Sequence, residues 1–323
     1  MNIEETIAAI EKEAQTYEYG EHPISLYEPI RYLMSLGGKR IRPLLVLMAY
    51  RIFKDDYESV VKPALAVEVF HNFTLMHDDI MDKAPLRRGK ATVHEKWNAN
   101  IAILSGDVML VKAYDLLLES KSPVLATIIE SFNETARFVC EGQQLDMDFE
   151  TRDNVTVDEY VEMIKLKTSV LLGYSLKYGG LLAHTTPDNL YNLYNFGCYI
   201  GIGFQLKDDL LDVFGEQEKV GKQMGGDIIA NKKTYLLIKA LEKADGAVKE
   251  ELSAWLIKKD FNKEEKVNAV TSIYETLNLR AETEELMNHY FSLGFNYLKK
   301  VKGSEEAKTQ LEEFSHYLIH RDK

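Results

Sequence analysis

The sequence is poor in the residues that staple, break or span. Two cysteines, Cys140 and Cys198, in 323 residues cannot build a disulfide framework and read as two reduced core thiols. Seven prolines and 19 glycines are too few to make an interdomain linker, so one continuous domain over 1–323 is expected. The longest conspicuous apolar run, 44–50, falls far short of the roughly 20 residues that cross a bilayer. The acidic start Met1-Asn2-Ile3-Glu4-Glu5-Thr6 lacks the basic and apolar regions of a signal peptide. A soluble, cytoplasmic protein with no stable membrane insertion is expected. Cations are also in deficit: 39 Lys plus Arg against 51 Asp plus Glu leave a net charge of −12. That excludes the extended basic surface that nucleic acid or an anionic membrane requires. Any anionic ligand must then be met by a local basic cluster or by bound metal.

What is present is helical. Apolar residues recur at spacings of three and four, as in Ile30, Leu33 and Met34, or Leu193, Phe196, Ile200 and Phe204. No alternating run bounded by a hairpin turn competes with that period. The fold class is all-α, with more than ten helices. Gly37-Gly38 ends one helix and Pro43 suits the first turn of the next. Lys83-Ala84-Pro85-Leu86 breaks a long helix, Ser122-Pro123 and Thr186-Pro187-Asp188 open two more, and Gly225-Gly226 is placed in a loop. From Lys243 onward the pattern is that of solvated amphipathic helices closing the domain.

The chemistry is concentrated in Asp78-Asp79-Ile80-Met81-Asp82 and Asp208-Asp209-Leu210-Leu211-Asp212. On a helix, residues four apart share a face, so Asp78 stands over Asp82 and Asp208 over Asp212. Like charges stacked this way repel unless a cation sits between them, and hard oxygen ligands suit Mg2+. Both motifs lie in apolar helices, where an uncompensated charge is costly. The complement is basic. Lys39, Arg40 and Arg42 lie at a turn that opens a helix, where backbone N–H groups and the dipole also favour an anion. Arg87 and Arg88 follow the first acidic motif, and Lys167-Thr168, Lys222 and Lys232-Lys233 complete the set. Cation clusters next to aspartate clusters point to a diphosphate bridged by metal.

Weaker patterns fall away. The 215–223 window suggests a phosphate-binding loop, but it is one residue too long and has Gln223 where Ser or Thr is needed. Glu68-x-x-His71 and Glu313-x-x-His316 match an element of helical di-iron proteins, a site that has no use for the arginines. His71 lies seven residues, two turns, before Asp78 on the same face, which favours a site role.

Gly37-Gly38-Lys39-Arg40-Ile41-Arg42-Pro43, His71, the first aspartate motif with Arg87-Arg88-Gly89, Gly106-Asp107, Glu141-Gly142-Gln143, Lys167-Thr168, Phe204-Gln205 before the second aspartate motif, and Gly221-Lys222 with Gly226-Asp227 together resemble the trans-isoprenyl diphosphate synthases, the polyprenyl synthetase family. The resemblance runs to about residue 245. It implies a single all-helical domain around a deep central cavity, usually a homodimer, that condenses isopentenyl diphosphate with an allylic prenyl diphosphate. By the same resemblance Asp78, Asp82, Asp208 and Asp212 bind several Mg2+ ions on the allylic diphosphate, and Arg87, Lys167, Lys222 and Lys232 contact it. Lys39, Arg42, His71 and Arg88 hold isopentenyl diphosphate, Thr168 and Gln205 line the reacting carbons, and Asp79 belongs to the catalytic group. Lys232 is preferred to Lys233 because Thr234 aligns with a Thr of the family pattern.

Ionising an allylic C–O bond demands groups that grip diphosphate more strongly as charge develops, and a dry cavity in which water cannot quench the cation. Product length then depends on depth. Thr74 and Phe73, four and five residues before Asp78, lie about one turn, ~5.4 Å, along the helix, and Phe70 lies a turn deeper. Phe73 looks like a floor that stops growth at C15 or C20, similar to short-chain members of the family. The alternatives are a terpene cyclase or head-to-head synthase, against which Lys39, Arg42 and Arg88 argue, and a non-catalytic helical subunit, against which the intact aspartates argue.

Overall fold

The structure, a computed structural model, describes residues 2–215 and 225–320. Lys222 and most of the 215–223 window therefore lie outside the described residues. In chain order the helices are α1 (Ile3–Thr16), α2 (Ile24–Ser35), α3 (Ile41–Arg51), α4 (Val61–Met81), α5 (Val93–Lys96), α6 (Ala99–Leu118), α7 (Leu125–Glu150), α8 (Val157–Ile164), α9 (Val170–Leu182), α10 (Pro187–Phe214), α11 (Gly226–Ile229), α12 (Tyr235–Lys243), α13 (Gly246–Ile257), α14 (Lys263–Thr276), α15 (Leu279–Leu298) and α16 (Glu305–His320). The fold is all-α. None of the described helices is long and apolar enough to cross a membrane.

Local chemistry sets the boundaries. Asn2 caps α1 by accepting from the N–H groups of Glu4 and Glu5 at 3.0 and 3.3 Å, with both acidic side chains at the positive end of the helix. Thr156 and Glu159 form a reciprocal capping box on α8. Pro187 is the first residue of α10, where its missing N–H costs nothing.

The described chain forms two compact units, one from 1–133, 174–191 and 302–311, the other from 134–173, 192–301 and 312–323. In the first, α4 is the core: Ala64, Leu65, Ala66, Val67 and Val69 are fully buried on all sides of the helix. α6 lies along it, presenting Ala102, Gly106 and Ala113 at helical spacing so that the two backbones approach closely. In the second unit, two clusters form the core, one around Tyr160, Leu206 and Ile238, the other around Leu237, Ile273 and Leu279. Each such Leu or Ile contributes about 1.5–3 kcal/mol relative to exposure.

Three local features differ from expectation. A two-stranded ladder pairs β1 (Leu86–Arg87) with β2 (Lys90–Ala91), too short to show any alternating period in sequence. Gly226 starts α11 rather than lying in a loop, with left-handed Gly225 (φ 74) as its N-cap. Of the two thiols only Cys198 is buried, where burial pushes it up to about 12; Cys140 is exposed on α7.

Candidate active site

In the first unit, Lys39, Arg42, His71 and Arg88 line one cleft of ≈ 390 Å³. The cleft is also lined by Gly38, Arg40 and Ile41, the segment that opens α3, whose first-turn N–H groups have no acceptor within the helix. Arg40 holds a left-handed backbone (φ 47), and its side chain turns into the core. Its Nε donates to Glu11 Oε2 at 2.7 Å, Nη1 to Glu68 Oε1 at 2.8 Å and Nη2 to the Met34 carbonyl at 2.8 Å. The middle cation of the turn is thus spent on the fold. Because Glu11 and Glu68 are both committed to it, Arg42 and Arg88 give the cleft surplus positive charge. Burial pulls the Arg42 guanidinium down to about 10, opposed by Glu68 and reinforced by Arg88. His71 is held well below the ordinary imidazole value by burial and by Arg42, Arg88, Arg87 and Arg40, so it is neutral at pH 7 and offers one N–H. Gly38 (φ 154) is needed here: a Cβ would come within 3.0 Å of Arg88 Nη2.

The first aspartate motif closes α4. Asp78 and Asp79 lie in its last turn, and Asp82 is the C-cap, donating its backbone N–H to the Asp78 carbonyl at 2.8 Å. The turn stays helical, which keeps Asp78 and Asp82 one above the other. Asp79 is buried and takes a two-pronged bond from Arg87, with Nε to Oδ2 at 2.8 Å and Nη2 to Oδ1 at 2.7 Å. Burial pushes the Asp79 carboxyl up while Arg87 opposes. Arg87 also lies 3.9 Å from Asp78 Oδ2. The β1–β2 hairpin explains the aim: Arg88 (φ 52) and Gly89 (φ 74) form a two-residue turn of left-handed residues. Tyr32 donates to the Ala91 carbonyl at 2.8 Å and Thr92 to that of Ala84 at 2.7 Å, pinning both ends. Adjacent arginines thereby serve two places, Arg87 at Asp79 and Arg88 at Gly38.

Farther down α4, Phe70 and Phe73 stack as a tilted pair with centroids 5.6 Å apart, and Phe70 meets Phe132 edge-on at 5.1 Å. Phe70 is buried and Phe73 half-buried. Thr74 donates to the His71 carbonyl at 2.8 Å, so its hydroxyl is satisfied within its own helix.

In the second unit, Lys167 and Thr168 lie in a π-helical turn, Lys165–Ser169, between α8 and α9. Two glycines permit it: a Cβ on Gly142 would collide with the Lys167 backbone, and one on Gly201 would lie 2.7 Å from Ser169 Cβ. Lys167, Thr168, Gln205 and Lys232 line a small pocket of ≈ 40 Å³ with Asp146 and Asp209; Lys233 is not part of it. Lys167 Nζ pairs with Asp146 Oδ2 at 2.6 Å. Asp209 accepts from the Tyr160 hydroxyl on one oxygen and from Gln205 Nε2 at 3.1 Å on the other. With its nitrogen so engaged, the Gln205 amide has its carbonyl oxygen left to offer. Burial and then Asp227 push the Asp209 carboxyl up to about 7, against the Tyr160 bond and Lys232. Asp208 is exposed, and Asp212 accepts the backbone N–H groups of Gly226 and Asp227 at 3.2 and 3.0 Å. Lys266 secures the same loop by donating to the Ile229 carbonyl at 3.2 Å and to Asn231 Oδ1 at 2.6 Å.

Among the described residues no group of three or more His, Cys, Asp or Glu stands close enough to hold a metal. Asp78 with Asp82 and Asp208 with Asp212 each offer two hard-oxygen side chains, which fits Mg2+, an ion that fills its remaining positions with phosphate and water. Sequence reasoning missed Glu11, Asp146, Tyr160 and Lys266, and it met Glu68 only as half of a Glu-x-x-His element rather than as the partner of Arg40. Of the four missed, only Asp146, one helical turn after Gly142, carried a local signal.

The polyprenyl synthetase family model matches residues 23–274. A geranylgeranyl diphosphate synthase of Methanosarcina mazei is 39% identical over 302 residues, 93% of this chain and 91% of its own. A crystal structure of geranylgeranyl pyrophosphate synthase matches with a TM-score of 0.92 at 41% identity, covering 99% of this chain and 98% of the other. Geranylgeranyl pyrophosphate synthetase from Pyrococcus horikoshii matches at 0.91 and 31% identity, covering 99% and 97%.

Proposed function

The chain belongs to the polyprenyl synthetase family and is a trans-prenyltransferase of the short-chain class, and from that premise we propose how its residues divide the work and which product they make. The reaction condenses isopentenyl diphosphate with an allylic diphosphate by ionisation, attack and proton loss. The observation that carries the division is the convergence of Lys39, Arg42, His71 and Arg88, four residues scattered over fifty positions, on one cleft at the start of α3. That cleft takes the isopentenyl diphosphate: the guanidinium groups of Arg42 and Arg88 neutralise it, and neutral His71 donates to a phosphate oxygen.

The allylic diphosphate is assigned to Asp78, Asp82 and Arg87, and to Asp208, Asp212, Lys167, Lys222 and Lys232. Mg2+ held by the aspartates supplies charge stabilisation to the leaving diphosphate. Arg87, kept in place by Asp79, and Lys167, kept in place by Asp146, strengthen their grip as the C–O bond breaks. Thr168 and the carbonyl oxygen of Gln205 face the reacting carbons. Attack by the π bond of isopentenyl diphosphate forms the new C–C bond, and the departing diphosphate takes the proton, since no protein base is assigned to that carbon. Phe73, backed by Phe70 and flanked by Thr74, is the floor of the tail site.

Of the two product lengths open from sequence, C20 is the one supported by the geranylgeranyl diphosphate synthases among the similar proteins. The enzyme acts as one domain per chain in a cytoplasmic homodimer. Leu104, Val111 and Leu118, exposed on α6 at intervals of seven, are the apolar stripe that supports pairing. Steady-state kinetics test the division of labour. Arg88→Ala is expected to raise KM for isopentenyl diphosphate with little change for the allylic substrate, and Lys167→Ala to do the reverse. Equal effects of both on both substrates would overturn it.

A further inference from the structure

We propose that His77 is a specificity-determining residue that holds the Phe73 ring in its stopping position, so that product length is set by a pair of side chains; this rests on Phe73 being the floor. Helical spacing places residues 70, 73 and 77 on one face of α4. Phe73 meets His77 edge-on with centroids 4.8 Å apart, and Phe70 lies on its other side at 5.6 Å. Phe70 is 1% exposed and anchored on Phe132, whereas Phe73 is only half-buried. The ring that stops the chain is therefore the one its surroundings fix least, and His77 is its neighbour on the side of the aspartates.

His77 is itself immobilised by α6. Its Nε2 lies 3.1 Å from the Ile103 carbonyl, and since a carbonyl only accepts, Nε2 carries the proton. One turn further on, Gly106 leaves room for the imidazole: a Cβ there would collide with Nε2. Half-buried between the α6 backbone and Phe73, the imidazole is held against the ring by its bond to Ile103. A phenylalanine in a helix chooses between two χ1 wells, and contacts of this edge-on kind bias that choice. Without the imidazole the ring samples the alternative well more often, and each turnover that finds it displaced admits one further C5 unit. A packing role alone would change stability and leave the product ratio alone.

The test uses the full-length enzyme with Mg2+, isopentenyl diphosphate and an allylic primer, with products dephosphorylated and separated by chromatography. In His77→Ala the ratio of the next-longer product to the normal one is expected to rise about two- to tenfold, the factor that corresponds to losing one aromatic edge contact. Phe73→Ala is expected to raise it more, the double variant no more than Phe73→Ala, and His77→Phe, which keeps a ring, to leave it as it is. If His77→Ala does not fold, Gly106→Ala displaces the same imidazole and is expected to shift the ratio the same way. A normal ratio in both while Phe73→Ala lengthens the product overturns the role of His77. So does a His77→Ala gain that persists undiminished in the Phe73→Ala background. An unchanged spectrum in Phe73→Ala overturns the floor itself, and with it the dependence on His77.

Discussion

Replacing Arg40 by Met separates the cation that builds the site from those that bind ligand. The Arg40 side chain is fully buried and Glu68 is 4% exposed, so the substitution strands a carboxylate in the core. Among the described residues the donor left to it is Asn72 Nδ2, a long 3.3 Å away. Removing one partner of a buried ion pair costs about 3–5 kcal/mol. The second pair, to the partly exposed Glu11, adds about 0–1 kcal/mol. A loss of about 4 kcal/mol is therefore expected by urea unfolding, because Met fills the volume but satisfies none of the three acceptors. The stranded Glu68 carboxylate also lines the cleft proposed for isopentenyl diphosphate, beside Arg42, so KM for that substrate should rise in what remains folded. Arg40→Met with Glu68→Met removes the orphan and should recover most of the stability. A single variant within about 1 kcal/mol of wild type, or a double variant no more stable than the single, would refute the reasoning.

His71 gives a pH prediction. Burial and the neighbouring arginines hold its folded pKa down, whereas in the unfolded chain it protonates near about 6.5. The unfolded state then binds the extra proton, so stability fully present above about pH 6.5 is lost progressively as pH falls from there toward the lowered folded pKa. His71→Gln should remove this component, and parallel pH profiles of urea midpoints for the two proteins would contradict it. Lys266→Met frees the loop that carries Asp227 and Lys232, and should raise KM for the allylic substrate about tenfold while KM for isopentenyl diphosphate stays put, a split that general destabilisation does not produce. Asp78→Ala should abolish most activity in a coupled diphosphate-release assay; near-normal turnover would remove Asp78 from the metal site.

Most of the helices were legible because their apolar periods and caps are local. The candidate site residues could be proposed from sequence because Asp78 with Asp82, Arg87 with Arg88 and Lys167 with Thr168 are neighbours along the chain. What remained hidden was whatever depends on distant partners. Arg40 reads as a third ligand-binding cation until Glu11 and Glu68, 29 and 28 residues away, are found on its guanidinium. Asp209 reads like its neighbours until Tyr160, 49 residues earlier, turns out to occupy it. Gly142 and Gly106 looked only like parts of a pattern; their cause is a close approach to Lys167 and His77 that no single segment encodes. The hairpin that aims Arg87 and Arg88 apart is four paired residues around a turn, too little for any periodicity to register.

The central claim is that this chain joins C5 units onto an allylic diphosphate and stops at C20. Purified protein incubated with Mg2+, labelled isopentenyl diphosphate and, in turn, dimethylallyl, geranyl or farnesyl diphosphate tests it directly. The account predicts a C20 prenyl diphosphate from each primer by chromatography, and no product once chelator removes the metal. Release of a cyclised hydrocarbon, or no incorporation of label with any primer, would contradict it.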